Sequence, residues 1–184
     1  MSPFSSEKLK GTIVFDLETQ KSFDEVGGRS HIPDLLLSLA VVYRYTDDRY
    51  ITFLEKDAAS LLDEIQKAVQ VVGFNLLGFD YLVLDRYGTV GPVGIKTVDI
   101  MKRCEKHLGF RPKLDNLVTA TLGEKKGADG LVAIRLYREG KIKKLEQYCK
   151  QDVELTRKLF EFGLEHGFVY IEQQGKKKRI PAKW

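Results

Sequence analysis

Apolar positions in this chain fall into short runs near its start and into helical repeats further on. Ile13, Val14 and Phe15 stand together inside residues 12–19, Thr-Ile-Val-Phe-Asp-Leu-Glu-Thr. Such a run fits a strand buried on both faces. Leu39, Val41, Val42 and Tyr43 mark a second strand over 35–44, and residues 49–54 a third, after a turn at Thr46, Asp47 and Asp48. Three early strands with short connections predict an antiparallel meander. Between the first two, residues 20–33 are polar and carry Gly27 and Gly28, which reads as a loop rising from the first strand.

From residue 57 the period changes. Leu61, Leu62, Ile65, Ala68 and Val69 recur at helical spacing behind Asp57, which is placed as the N-cap. Val71 and Val72 form a short strand that ends at Gly73, Phe74 and Asn75, and a helix runs from Asp80 to near Gly88. The stretch 90–98, broken by Gly91, Pro92 and Gly94, leads to a last strand at Thr97 and Val98. Asp99 then opens a helix to Leu108, closed by Gly109. Helical patterns follow over 114–122 and 130–139, around the Lys/Gly segment 124–127. A long final helix over 143–166 carries Leu145, Tyr148, Val153, Leu155, Leu159 and Phe162. A meander followed by alternating helices and strands predicts an α/β domain with a mixed sheet and flanking helices. The expectation is one domain, residues 1–184, with 168–184 as a basic C-terminal extension or hairpin having Val169, Tyr170 and Ile171 in one arm.

Composition narrows the classes. Hydrophobic residues at 43% and charged residues at 30% describe a globular chain, not a disordered one. No apolar run is long enough to cross a bilayer, and residues 1–10 lack the apolar core of a secretion signal, so no membrane partner is expected. Cys104 and Cys149 lie far apart and outside any CxxC or Cys/His cluster, which points to free thiols in a cytoplasmic setting. The net charge of +4 is unevenly spread. Lys176, Lys177, Lys178, Arg179 and Lys183 belong to the last nine residues. Removing those five from the 30 basic residues leaves 25 against 26 acids. The basic character therefore belongs to the tail.

Candidate chemistry begins directly after the first apolar run. Asp16 and Glu18 are two apart, so an extended backbone turns both toward the same space. Two carboxylates there repel each other unless a cation compensates them, and oxygen-only ligands favour a hard divalent ion such as Mg²⁺ or Mn²⁺. Two other segments can supply partner acids. In one, a strand ends at Gly73, the chain turns, and Asp80 arrives at a helix start, where the helix dipole favours a carboxylate. In the other, Tyr148 and Asp152 lie one turn apart on one face of the last helix.

These residues resemble a known family. Phe15-Asp16-Leu17-Glu18-Thr19, Asn75-x-x-x-Phe79-Asp80 and Tyr148-x-x-x-Asp152 look like the three motifs of the DEDDy 3′–5′ exonucleases, a branch of the ribonuclease H-like superfamily that includes polymerase proofreading domains. The spacing is similar to that of small free-standing or helicase-linked exonucleases related to family B polymerase proofreading domains. The resemblance implies a ribonuclease H-like fold and a two-metal hydrolysis of single-stranded nucleic acid from a free 3′ end, releasing nucleoside 5′-monophosphates. DNA is favoured, RNA stays open, and a helicase or polymerase partner is allowed. It implies Asp16, Glu18, Asp80 and Asp152 as ligands of two Mg²⁺ or Mn²⁺ ions and Tyr148 as the group that positions the attacking water. Leu17 and Thr19 would contact the terminal nucleotide, and Asn75 would lie near the scissile end or simply stabilise a turn. Gln147 stands where the sister branch has its histidine, five residues before the last Asp.

Other residues have blander readings beside the functional one. Asp99 is read as a helix N-cap in preference to a fifth ligand, and Cys149 as packing. Lys102, Arg103, Lys106, Arg111 and Lys113, the pair Lys125 and Lys126, and the run 176–179 are either phosphate contacts or solvated faces. Phe23 and Phe110 are core or incidental in preference to base-stacking.

Overall fold

The computed structural model describes residues 8–90, 96–124 and 130–184. Its centre is a five-stranded mixed sheet in the order β3-β2-β1-β4-β5. Strands β1 (Thr12–Thr19), β2 (Leu37–Arg44) and β3 (Arg49–Leu54) form the predicted antiparallel meander. Strands β4 (Gln70–Gly73) and β5 (Lys96–Asp99) add in parallel on the other side of β1. Parallel pairing demands crossovers. Helix α1 (Ala58–Lys67) lies in the first, and the short α2 (Asp80–Leu84) in the second.

Both sheet faces are covered. The side chains of Ile13, Phe15 and Leu17 pack with those of α1 and α2, including Leu61, Ile65, Tyr81 and Val83. Val14 points the opposite way, into a cluster with α3 (Ile100–Leu108), α4 (Leu114–Leu122) and α6 (Ile142–His166). Alternation along β1 therefore assigns Asp16 and Glu18 to the α6 side. Helix α5 (Gly130–Arg138) packs against both α6 and β1. A separate hairpin is formed by β6 (Phe168–Gln173) and β7 (Lys176–Pro181). Trp184 folds back onto α6, where its Nε1 donates to the Phe160 carbonyl at 3.2 Å. Gly163 makes room for it, since a Cβ there would stand 2.0 Å from Trp184 Cζ2.

Three local readings change. Residues 20–35 hold two 3₁₀ turns, Asp24–Val26 and Arg29–Leu35, and β2 begins only at Leu37. Leu35 is buried and its carbonyl accepts from Gln20 N and Lys21 N, so that segment serves the core instead of extending the strand. Asp57 occupies the N-cap position of α1, yet its carboxylate accepts from Leu54 N at 3.1 Å, closing the preceding 3₁₀ turn. Helix α2 stops at Leu84, with turns continuing to Tyr87 and Gly88. The expectations for Gly91, Pro92 and Gly94, for Lys125 and Lys126, and for residues 1–7 lie outside the described residues.

Candidate active site

Strand β1 pairs with β4 only from Thr12 to Val14, whereas it runs beside β2 as far as Thr19. Beyond Val14 the two parallel strands part, because β4 ends at Gly73 and the chain turns away. A crevice opens at the carboxyl ends of the strands, the place where open α/β sheets receive ligands. Asp16 and Glu18 stand at its edge, opposite Val41 and Leu39 of β2. Next to Glu18 the register slips by one residue, since Thr19 pairs with Leu37 and Ser38 is bulged out. Leu36, just before it, holds φ +58°. A bulge of this kind bends the strand end and re-aims neighbouring side chains.

Helix α6 supplies the facing wall. Tyr148, Cys149 and Asp152 are all buried on its inner side, and Asp152 is only 3% exposed. Asp16, Glu18 and Cys149 each offer a ligand atom within 4.8 Å of the others. The Cys149 thiol donates to the Asp16 carbonyl at 3.3 Å and approaches Asp16 Oδ2 at 3.7 Å. Burial first, then Asp16, Glu18 and Asp152, push that thiol well above its usual range. In this arrangement it is a donor to Asp16.

Asp80 comes from the opposite direction, at the start of α2, and is 2% exposed. Burial and then the Asp16 charge drive its carboxyl far above the ordinary range, offset in part by the backbone N–H groups of Asp80 and Leu17. Its Oδ1 is buried without a hydrogen-bond partner. Asp16, Glu18 and Cys149 thus form one close group, Asp16 is near enough to act on Asp80, and Asp152 is near enough to act on Cys149, with Tyr148 one turn from Asp152. A buried, unsatisfied carboxylate oxygen beside other carboxylates is unfavourable on its own. An oxygen-rich donor set with such an oxygen fits a hard divalent cation.

Asp99 has another task. Its two carboxylate oxygens accept from Asn75 N (2.9 Å), Leu77 N (3.0 Å) and Lys102 N (3.1 Å). It caps α3, as the sequence indicated, and also ties the turn that delivers Asp80. Asn75 sits in that turn at φ +71°, a conformation asparagine tolerates better than most residues. Its Oδ1 is buried against Gly78, where a Cβ would come within 2.5 Å. The turn role therefore has a geometric basis of its own.

Beside Glu18 lies a cavity of about 390 Å³ lined by Thr19, Phe23, Leu35, Phe79, Leu131 and Ile134, among others. Phe23 and Phe79 meet there edge to face, with ring centroids 6.0 Å apart. Thr19 lines this cavity and donates to the Lys21 carbonyl, whereas the Leu17 side chain is buried in the core cluster that holds Leu35. The α5 contribution, Leu131 and Ile134, has no counterpart in the sequence reading. Its one signal is an apolar Leu131 left 66% exposed. Arg138 of the same helix holds the cavity loop through Glu25, at 2.5 and 2.7 Å. Glu25 is drawn down to about 2 by the Ser22 backbone amide and then by Arg138.

A second unread network braces the strand end. Gln20 Nε2 donates to Leu37 O and to Glu55, Tyr87 donates to Glu55, and Leu37 N donates to Tyr87. Of the basic cluster near α3, Lys102 and Arg111 both pair with Glu105.

The sequence matches the RNase H superfamily over residues 13–162, more than half of the chain, and the protein belongs to that superfamily. Among solved structures it is similar to the family B DNA polymerase from the hyperthermophilic archaeon Pyrobaculum calidifontis, at 18% identity and a TM-score of 0.63. The match covers 83% of this chain but only 24% of the polymerase, and at that identity the likeness is one of fold. No curated protein matches the chain. Family membership together with the acid cluster supports a nuclease. No helix among the described residues is long and apolar enough to cross a membrane.

Proposed function

We propose that this chain is a DEDDy-type 3′–5′ exonuclease that hydrolyses single-stranded nucleic acid, DNA in preference to RNA, and releases nucleoside 5′-monophosphates. The observation that carries this reading is the buried Asp80 oxygen left without a partner beside Asp16. Asp16, Glu18 and Asp152 would hold one divalent cation, and Asp16 with Asp80 a second. Such a pair, Mg²⁺ or Mn²⁺, supplies charge neutralisation at the phosphodiester and favours a hydroxide nucleophile at neutral pH. Asp16 acts on Asp80 and is contacted by Cys149 of α6, which supports it as the shared ligand. Cys149 restrains its carboxylate by hydrogen bonding. Tyr148 would orient the attacking water through its hydroxyl. The terminal nucleotide would enter the cavity lined by Thr19, Phe23 and Phe79, whose aromatic walls suit a base of any identity. Asn75 would act through the turn it shapes, and Leu17 through its backbone.

Replacing Asp16 with Ala should lower Mg²⁺- or Mn²⁺-dependent digestion of a 5′-labelled oligonucleotide at least about a thousandfold, ~4 kcal/mol of barrier. Circular dichroism should stay native. Undiminished digestion by the D16A variant would overturn the mechanism. A panel of single- and double-stranded DNA and RNA then decides the sugar preference. A partner-dependent reading also has support, since the similar fold occupies a minor share of a polymerase chain. Weak turnover that rises on adding a helicase or polymerase would favour it.

A further inference from the structure

The positive charge of this protein is concentrated on the terminal hairpin, in a definite geometry. Val169, Ile171 and Ile180 bury one face of the hairpin in the core. Thr121 Oγ1 of α4 secures the outer side of β6, accepting from Tyr170 N at 2.9 Å and donating to Tyr170 O at 3.1 Å. The run 176–179 is therefore a paired strand and not a loose tail. Cross-strand register puts Tyr170 opposite Arg179 and Glu172 opposite Lys177, so these four share the outward face with Phe168. The Arg179 guanidinium lies 4.3 Å from the Phe168 ring centroid and 5.9 Å from that of Tyr170. Lys177 Nζ lies 5.6 Å from the Tyr170 centroid. Phe162 and His166 of α6 continue the array, stacked on each other at 4.0 Å and meeting Phe168 at 6.1 and 6.0 Å.

Aromatic rings interleaved with cations are the chemistry of single-strand recognition, where backbone charge is neutralised and bases stack on rings or on guanidinium planes. Lys177 and Arg179, two residues apart on one strand face, repeat at about 6.8 Å. That is close to the separation of successive phosphates in an extended single strand. The last nine residues hold five cations and no acid while the rest of the chain is nearly neutral, so the hairpin end, of which this face is part, carries the net attraction for a polyanion. Glu172, the one acid on the face, lies toward the hairpin tip, opposite Lys177.

We propose that Phe168, Tyr170, Lys177 and Arg179, with Phe162 and His166, form a second binding surface for single-stranded nucleic acid, apart from the acid cluster. His166 is fourteen residues beyond Asp152 on α6, about 21 Å at 1.5 Å per residue. The surface holds a part of the strand remote from the end being cut. This rests on reading the chain as a nuclease, and the test separates the two. Binding of a fluorescein-labelled oligothymidylate of about 20 nucleotides is followed by anisotropy in EDTA, where no turnover occurs, over a range of NaCl concentrations. The K177Q/R179Q variant should lower the log–log salt slope by about 1.4, two contacts at ~0.7 each, and weaken low-salt binding roughly tenfold. Tyr170→Leu should weaken it about fivefold, the low end for one stacked base. Both variants are checked by thermal melting, and Lys177→Gln alone, at an exposed position, should still remove about half of the slope difference. Unaltered slope and affinity in the double variant would refute the surface while leaving the nuclease reading intact. Displacement by polyglutamate as effective as by unlabelled oligothymidylate, with no effect of Tyr170→Leu, would assign the face to acidic proteins and also refute it. Loss of digestion in D16A with these slopes unchanged separates the catalytic site from this one.

Discussion

Two concentrations of like charge lie along α6, one against its first half and one beyond its end, and they are built in contrary ways. In its first half, carboxylates from β1, α2 and α6 act on one another, and two of them are almost completely buried. Beyond its end, cations that are neighbours in sequence stand on an exposed hairpin face. Exposed like charges are screened by water and salt and need no partner. Buried like charges are not screened, and the fold tolerates them only where something else compensates. The first region therefore calls for a ligand to be stable, whereas the second only offers one a place to bind.

Asp99 and Asp80 sharpen the contrast, since both are buried and only Asp99 is fully engaged by N–H donors. Asp99→Ala strips acceptors from three backbone amides, at about 1 kcal/mol or more each. A loss of roughly 3 kcal/mol, and about 10 °C in melting temperature, is expected in calorimetry. Digestion should fall with it, because the turn carrying Asp80 loosens. Asp80→Asn has the opposite sign. In EDTA it removes a buried carboxylate from beside Asp16, and its amide can donate to that neighbour, so the variant should gain on the order of 1 kcal/mol. It should also lose the stabilisation that added Mg²⁺ or Mn²⁺ gives the unaltered protein. An Asp80→Asn protein that melts lower in EDTA would mean the buried acid is satisfied, against the comparison. The smallest effect belongs to the hairpin, where K177Q/R179Q should change stability by no more than about 0.5 kcal/mol in denaturant melts. A larger loss would make its ring-stacked cations a structural lock.

Local pattern reaches a long way in this protein. The antiparallel meander and the four later helices follow from short apolar runs and from a period near 3.6, because β1 and β2 are buried on both faces and α6 buries one side. The spacing of Asp16, Glu18, Asp80 and Asp152 was readable for a related reason. Asp16 and Glu18 share a strand face, and Tyr148 and Asp152 a helix face, at offsets that backbone geometry dictates. The braces around them were not readable. Gln20, Glu55 and Tyr87 form one network from three elements, and nothing in their own neighbourhoods predicts it. The register slip at Ser38 arises from a mismatch between two strands, a property that neither strand has alone.

The amino-acid order by itself determined which segments become strands or helices, which acids can share a face, and that the basic charge gathers at the C-terminus. Tertiary structure alone decided that Asp99 spends its oxygens on three amides, that the Cys149 thiol donates to Asp16, and that α5 walls a cavity beside Glu18. The division has one physical cause. Periodicity and offsets act over a turn or a strand, whereas desolvation, charge coupling and hydrogen-bond satisfaction depend on which distant groups the packed chain brings within a few ångströms.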